Sequence, residues 1–353
     1  MTKPWQTARF WSGWVAWTVC ASVGLLLLLE GAVRLFFPHV NVQSTSRNLF
    51  LPGRYGPSHG LRPGGSGTSF GVPVSIDEDG FRAPAGRSVD SPSATILMLG
   101  DSVTFGVGVA EPETFAGRLQ AARPDLRIIN AAAPLYNMED YRNLLERLPL
   151  ESWGVRHAYL FYNLNDIFGR ATLVADAAQK GKREKLRDLA TWCQREIAGH
   201  SKLYVLLKSL RQGDVSVAYF KNDVRVYEPD SPRFRTTLSL LEESREAAAR
   251  RGIELRVVLL PCEPQLRDPP LPDRWKPQRL LSAFLAERGI GYLDLAGAFS
   301  SGSGASRSLF LYADHMHFSP EGHALVFKAI FEDLQRTLAD QRAAHVPPRE
   351  ATR

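Results

Sequence analysis

The 353-residue chain is short of several things, and each shortage removes a class of explanation. It has three cysteines. Pairing of Cys193 with Cys262 and two free thiols both stay open, so cysteine usage decides nothing about compartment. It has no charge of one sign in real excess: a net +6 is spread over 43 basic and 37 acidic residues. No basic stripe or recognisable module stands out, so no dedicated nucleic-acid surface is implied. It has no internal repeat. Asp314, His315, His317 and His323 lie close together, but a third or fourth metal ligand elsewhere is missing, and no metal or cofactor is expected. What remains is ordinary globular material, 44% hydrophobic and 23% charged.

Phe10 to Leu29 is a stretch of 20 residues without a charge, closing on five consecutive leucines. A helix of that length spans roughly the 30 Å of a bilayer's hydrocarbon core. Trp11, Trp14 and Trp17 stand near its start and Phe36 and Phe37 just past its end, where interfacial aromatics belong. A cleaved signal peptide has a shorter apolar region and a small-residue cleavage site, whereas Glu30, Arg34 and bulky residues follow here. Cys20 lacks a lipobox-like approach. The reading is an uncleaved single-pass anchor within residues 1–37. Lys3 and Arg9 before it favour a cytoplasmic N-terminus and a domain outside the cytoplasm, on the periplasmic side, although Arg34 and Arg47 follow the span closely.

Residues 38–93 are crowded with Gly, Pro and Ser and read as an irregular stalk or wrapped linker. From Ala94 the signals alternate between strand and helix, which implies a parallel sheet flanked by helices. Strands are expected at 95–99, 126–129, 158–162, 255–260 and 292–295. Helices are expected at 113–122, 139–148, 236–250 (with Gly252 as a C-cap), 278–287 and 321–338. This domain, 94–340, carries an insertion at 167–233 that a minimal strand–helix–strand unit does not need. Lys180 to Arg187 reads as a basic helix there, and Leu203 to Leu210 is mostly apolar. The insertion reads as solvated and packing helices, with a lid or an anion-facing surface as the functional alternative. Residues 341–353 read as a frayed tail.

Four short blocks fall at or near the ends of expected strands: Gly100-Asp101-Ser102, Asn130 to Asn137, Asn163-Leu164-Asn165-Asp166, and Asp314-His315-Met316-His317. That is where a parallel α/β sheet places its chemistry. Ser102 follows the strand 95–99, but a hydroxyl is a poor nucleophile until a base takes its proton. His317 is the candidate base, and Asp314 can turn back within one loop to hold its tautomer. Asn165 ends a strand; it either turns the chain or donates its side-chain amide to an oxyanion. His315 reads as a loop residue and His323 as part of the closing helix.

On these residues the chain resembles the SGNH/GDSL hydrolases. The likeness rests on Gly100-Asp101-Ser102 with Gly106, Asn130-Ala131-Ala132, Asn165-Asp166, and Asp314 through His317 followed by Pro320-Glu321-Gly322-His323. The resemblance implies a three-layer α/β/α flavodoxin-like parallel sheet, a triad of Ser102, His317 and Asp314, and an oxyanion hole from the Ser102 amide, a second-block amide and the Asn165 side chain. The family's second block usually carries a glycine where alignment on Asn130 places Leu135; a backbone amide remains there. Asp77-Glu78-Asp79-Gly80-Phe81-Arg82 is similar to a segment of membrane-anchored bacterial members.

The expected activity is hydrolysis of short acyl esters, such as O-acetyl groups on an extracytoplasmic polysaccharide. A glycan O-acyltransferase with the same triad is the first alternative, and a non-catalytic binding or assembly protein the second. Partners are then an acyl ester and the membrane, with no nucleic acid.

Overall fold

A computed structural model describes residues 4–83, 92–169, 191–212, 215–300 and 306–344. Helix α1 (Pro4–Phe36) contains one stretch, Trp14–Phe36, long and apolar enough to cross a membrane.

The stretch expected as a stalk departs from that expectation. It folds into two antiparallel hairpins, β1 (Phe50–Tyr55) with β2 (Ser58–Leu61) and β3 (Ser66–Ser69) with β4 (Val72–Ser75). The Gly content serves tight reversals rather than flexibility. Between Ser69 and Val72, Phe70 (φ 48°) and Gly71 (φ 80°) both take the left-handed region that a two-residue hairpin turn demands. Leu49, Tyr55, Leu61, Val74, Ile76 and Phe81 are buried in the same apolar core as the large sheet. The hairpins are therefore part of the domain's packing.

The large sheet is entirely parallel. Its strands are β5 (Ala94–Leu99), β6 (Leu126–Asn130), β7 (Val155–Tyr162), β8 (Glu254–Leu259) and β9 (Gly291–Asp294), in spatial order β6-β5-β7-β8-β9. This is the flavodoxin-like order, and the chain reverses direction across the sheet between β5 and β7, where such sheets open a crevice. The continuous apolar run of β5 is buried on both faces. Leu97 and Leu99 point into one core, Ile96 and Met98 into the other, as a period of two requires.

Helices α4 (Met138–Arg147), α7 (Pro232–Arg250) and α8 (Lys276–Glu287) close the first core through Tyr141, Leu144, Leu241 and Leu285. Helices α3 (Phe115–Ala122), α9 (Ala296–Ser300) and α10 (Pro320–Ala344) close the second through Phe115, Leu119, Phe299, Val326 and Ile330. Their starts follow the sequence signals: Thr114 caps α3, Asn137 forms a capping box with Asp140, and Ser231 precedes Pro232. Gly252, at φ 65°, follows α7 as a helix terminator should.

Part of the insertion is helical. Residues 191–198 form a helix, followed by α5 (Lys202–Gln212) and α6 (Val215–Val224). The basic stretch Lys180 to Arg187 lies outside the described residues. Val205 and Ala198 pack with Val40 in a small separate cluster, which ties the insertion to the chain just beyond α1. Cys193 is exposed and Cys262 buried, and both are free thiols.

Candidate active site

Ser102 sits on a sharp strand-to-helix turn whose geometry leaves little choice of residue. A Cβ on Gly100 would stand 2.1 Å from the Thr104 hydroxyl, so only glycine fits directly after β5. Asp101 then caps the four-residue helix Ser102–Phe105 (our α2), its Oδ1 accepting from the Val103 amide at 2.9 Å. Gly106, at φ 83°, closes the turn by donating its N–H to the carbonyls of Ser102 and Val103.

Arg82 braces this turn from outside the sheet. Its buried guanidinium donates to the carbonyls of Phe105 (2.5 Å), Gly106 (2.6 Å) and Val109 (2.6 Å). Burial pulls its pKa down to about 10, which leaves it charged at neutral pH. The sequence marks the segment carrying Arg82 only by its resemblance, and its contact with the Ser102 turn is a fact of the fold.

The loop before α10 brings the imidazole to the serine. Ser102 Oγ and His317 Nε2 are 2.8 Å apart, and His317 Nδ1 lies 2.7 Å from Asp314 Oδ2. The other oxygen of Asp314 accepts the amides of Met316 (2.9 Å) and His317 (3.0 Å), so the loop is folded around its own carboxylate. Burial would raise Asp314, but the charge and hydrogen bonds of His317 outweigh it and hold the carboxyl far below the usual range. Burial likewise opposes the charged form of His317, but Asp314 prevails and raises the imidazole above its ordinary value. Phe70, at the tip of the second hairpin, stands edge-on to the His317 ring with centroids 5.2 Å apart. Phe70 was not singled out in the sequence, where a lone aromatic in a Gly-rich stretch carries no signal.

Asn165 and Leu135 occupy the neighbouring strand ends. Asn165 lies in the short turn after β7, and its Nδ2 donates to Asp101 Oδ2 at 3.3 Å, leaving its second N–H for another acceptor. Asp166 and Asn163 close a capping box beneath it, with the Asn163 amide donating to Asp166 Oδ2 at 2.8 Å. Leu135 holds φ at +71°, and its side chain is 80% exposed. A glycine would adopt that backbone without strain, whereas a leucine bears it. The loop around it is held by the first hairpin: His59 Nε2 lies 2.9 Å from the Pro134 carbonyl, and the Tyr136 hydroxyl donates to the His59 carbonyl at 2.6 Å.

The other histidines go elsewhere. His323 is buried, its Nδ1 accepting the Phe115 amide at 3.2 Å, and burial drives it down to about 3, so it is a neutral packing residue of α10. His315 stacks flat on Tyr219 of α6, 5.3 Å between centroids, and burial lowers it.

The arrangement offers a hydroxyl against a carboxylate-backed imidazole at the sheet's switch point, with Leu135 and Asn165 at the neighbouring strand ends. Residues 98–325, which include Ser102, Leu135, Asn165, Asp314 and His317, match the model of the GDSL-like lipase/acylhydrolase family. Among solved structures, a member of the lipolytic G-D-S-L family from Veillonella parvula is 16% identical at a TM-score of 0.40, covering 69% of this chain and 100% of that one. An acetylxylan esterase from Geobacillus stearothermophilus is 14% identical at 0.42, covering 69% and 94%. A psychrotrophic esterase from Pseudoalteromonas sp. is 11% identical at 0.38, covering 70% and 100%. No curated protein matches the chain.

Proposed function

Because this chain belongs to the GDSL-like lipase/acylhydrolase family and is thus an enzyme of ester bonds, we propose that Ser102, His317 and Asp314 are its catalytic triad. The observation that carries this reading is the unbroken chain of short hydrogen bonds from Ser102 Oγ through the imidazole to Asp314. His317 Nε2 takes the hydroxyl proton as Oγ attacks the ester carbonyl. Asp314 keeps the proton on Nδ1 and stabilises the imidazolium that forms. The carbonyl oxygen becomes an oxyanion facing the amides of Ser102 and Leu135 and the free N–H of Asn165. On collapse His317 returns its proton to the leaving alkoxide, and the acyl group stays on Ser102. Water, deprotonated by the same imidazole, then releases the acid.

The substrate we propose is a short acyl ester, such as an O-acetyl group on an extracytoplasmic glycan. Phe70 favours a short acyl group, because its ring fills space on one side of His317. The apolar stretch of α1 supports an anchor that holds the domain at the membrane, and Lys3 and Arg9 before it favour the domain's placement on the outer face.

A fluorophosphonate probe on the full chain in detergent tests the nucleophile. Labelling of the wild type and none of Ser102→Ala is expected; equal labelling of the variant would remove Ser102 from the role. An ester panel on the same protein should favour acetyl over octanoyl. The full chain is needed, since a piece starting near Pro92 would lose the hairpins that complete the core.

A further inference from the structure

Helix α1 carries one acidic residue at the edge of its apolar stretch, and α5 receives it. Glu30 Oε2 accepts from the Ser201 hydroxyl (2.8 Å) and the Leu203 amide (3.0 Å), and Oε1 accepts from the Lys202 amide (3.0 Å). A carboxylate at the N-terminus of α5 thus satisfies orphan amides and meets the positive end of the helix dipole. Arg34 pairs with Glu30 at 2.7 Å and donates to the His200 carbonyl at 2.9 Å, and Lys202 Nζ reaches the Pro38 carbonyl at 3.2 Å. Every contact ties the start of α5 to the C-terminal end of α1.

That junction fixes the level at which α5 starts. Exposed apolar side chains on α1 continue past Glu30 to Leu35 and Phe36, about 9 Å further along the axis. The first turn of α5, docked at Glu30, therefore lies beside the apolar surface of α1, and Val205, packed on Val40, stands near the end of that surface. The composition of α5 suits that depth. Leu207 and Leu210, three residues apart and so on one stripe, are 54% and 71% exposed. Val205 is buried on the other side, and Ser209 bonds the Tyr312 hydroxyl at 2.8 Å, two residues from Asp314. Lys202, Lys208 and Arg211 are its charged residues, and none is acidic. An apolar stripe bordered by cations is the pattern of a helix lying in the headgroup region of a bilayer with anionic lipid.

We propose that α5 is an interfacial helix whose Leu207 and Leu210 insert into the bilayer on the domain's side. It seats the Ser102–His317 site at the lipid surface, where esters carried by membrane-bound molecules are presented. The proposal rests on the reading of α1 as a membrane span, and its test separates the two.

The full chain, with Cys20→Ser and Cys193→Ser, is given a single surface cysteine by Leu207→Cys, Leu210→Cys, Leu27→Cys or Arg336→Cys. Each variant is labelled with an environment-sensitive dye and reconstituted in phosphatidylglycerol/phosphatidylcholine vesicles, with and without nitroxide-bearing lipid. Arg336 is the control: it is exposed on α10, roughly 24 Å along that helix from its start beside the site. Fluorophosphonate labelling of Ser102 checks that each variant is folded. Dyes at 207 and 210 should be quenched at least twofold by shallow nitroxide and that at 27 by deep nitroxide, with 336 unchanged. Quenching at 27 with 207 and 210 no different from 336 overturns the proposal and leaves the anchor standing. No quenching at 27 removes the span, and this proposal with it.

Discussion

Replacing Leu135 by glycine should make the protein more stable, an unusual expectation for a residue beside the nucleophile. Leu135 holds φ at +71°, where a Cβ crowds the backbone, at a cost of roughly 1–2 kcal/mol for a residue other than glycine. Its side chain is 80% exposed, so deleting it forfeits little burial. Against the relief stands the larger entropy of glycine in the unfolded chain, about 0.5–1 kcal/mol. The net is a gain of about 0.5–1 kcal/mol, or a Tm rise of about 1–4 °C for a domain of this size. Leu135→Ala keeps the Cβ and the strain, and its Tm should not rise. Thermal unfolding of the three proteins in one detergent measures this directly. Hydrolysis of an acetyl ester should survive in the glycine variant, because the backbone N–H offered to the oxyanion is untouched. A glycine variant that melts below the wild type would refute the reasoning, by showing that the leucine side chain makes contacts worth more than the strain.

The remaining expectations concern the relay, the oxyanion and the hairpins. His317 acts as a base only when neutral and is raised above its ordinary 6.5, so kcat/KM should climb with pH through a midpoint above that value. Asp314→Asn leaves burial as the dominant influence, which lowers the imidazole; the acid limb should move to lower pH while the plateau drops on the order of 10⁴-fold. An unmoved limb would show that His317 is not the titrating group. Asn165→Ala should cut turnover on the order of 10² to 10³-fold while fluorophosphonate still labels Ser102, and unchanged turnover would make Asn165 a turn residue only. A chain beginning at residue 92 removes Arg82 and the buried Leu61, Ile76 and Phe81, and should label at under a tenth of the full-length rate; equal labelling would mean that the hairpins are dispensable.

Much of this protein was decided locally and could be read from the chain. The run 95–99 is apolar at every position but Thr95, which only a strand covered on both faces tolerates, and β5 is such a strand. Ser231-Pro232 and Asn137 with Asp140 start helices by hydrogen bonds within a single turn, so their signals do not depend on the rest of the fold. Asp314 and His317 are three residues apart in one loop and meet through that loop alone. The 38–93 stretch reads as a stalk for the complementary reason. Glycine and proline mark reversals and linkers alike, and only the burial of Leu61, Val74 and Phe81 against a distant sheet tells them apart.

The contacts that complete the site belong to the tertiary structure. Arg82 reaches the Ser102 turn, His59 reaches the Pro134 carbonyl, Phe70 covers His317, and Glu30 caps a helix more than 170 residues away in sequence. None of these pairs is joined by a local period or turn of the chain. Each is set by which surfaces the closed sheet brings together, and a linear pattern has no term for that.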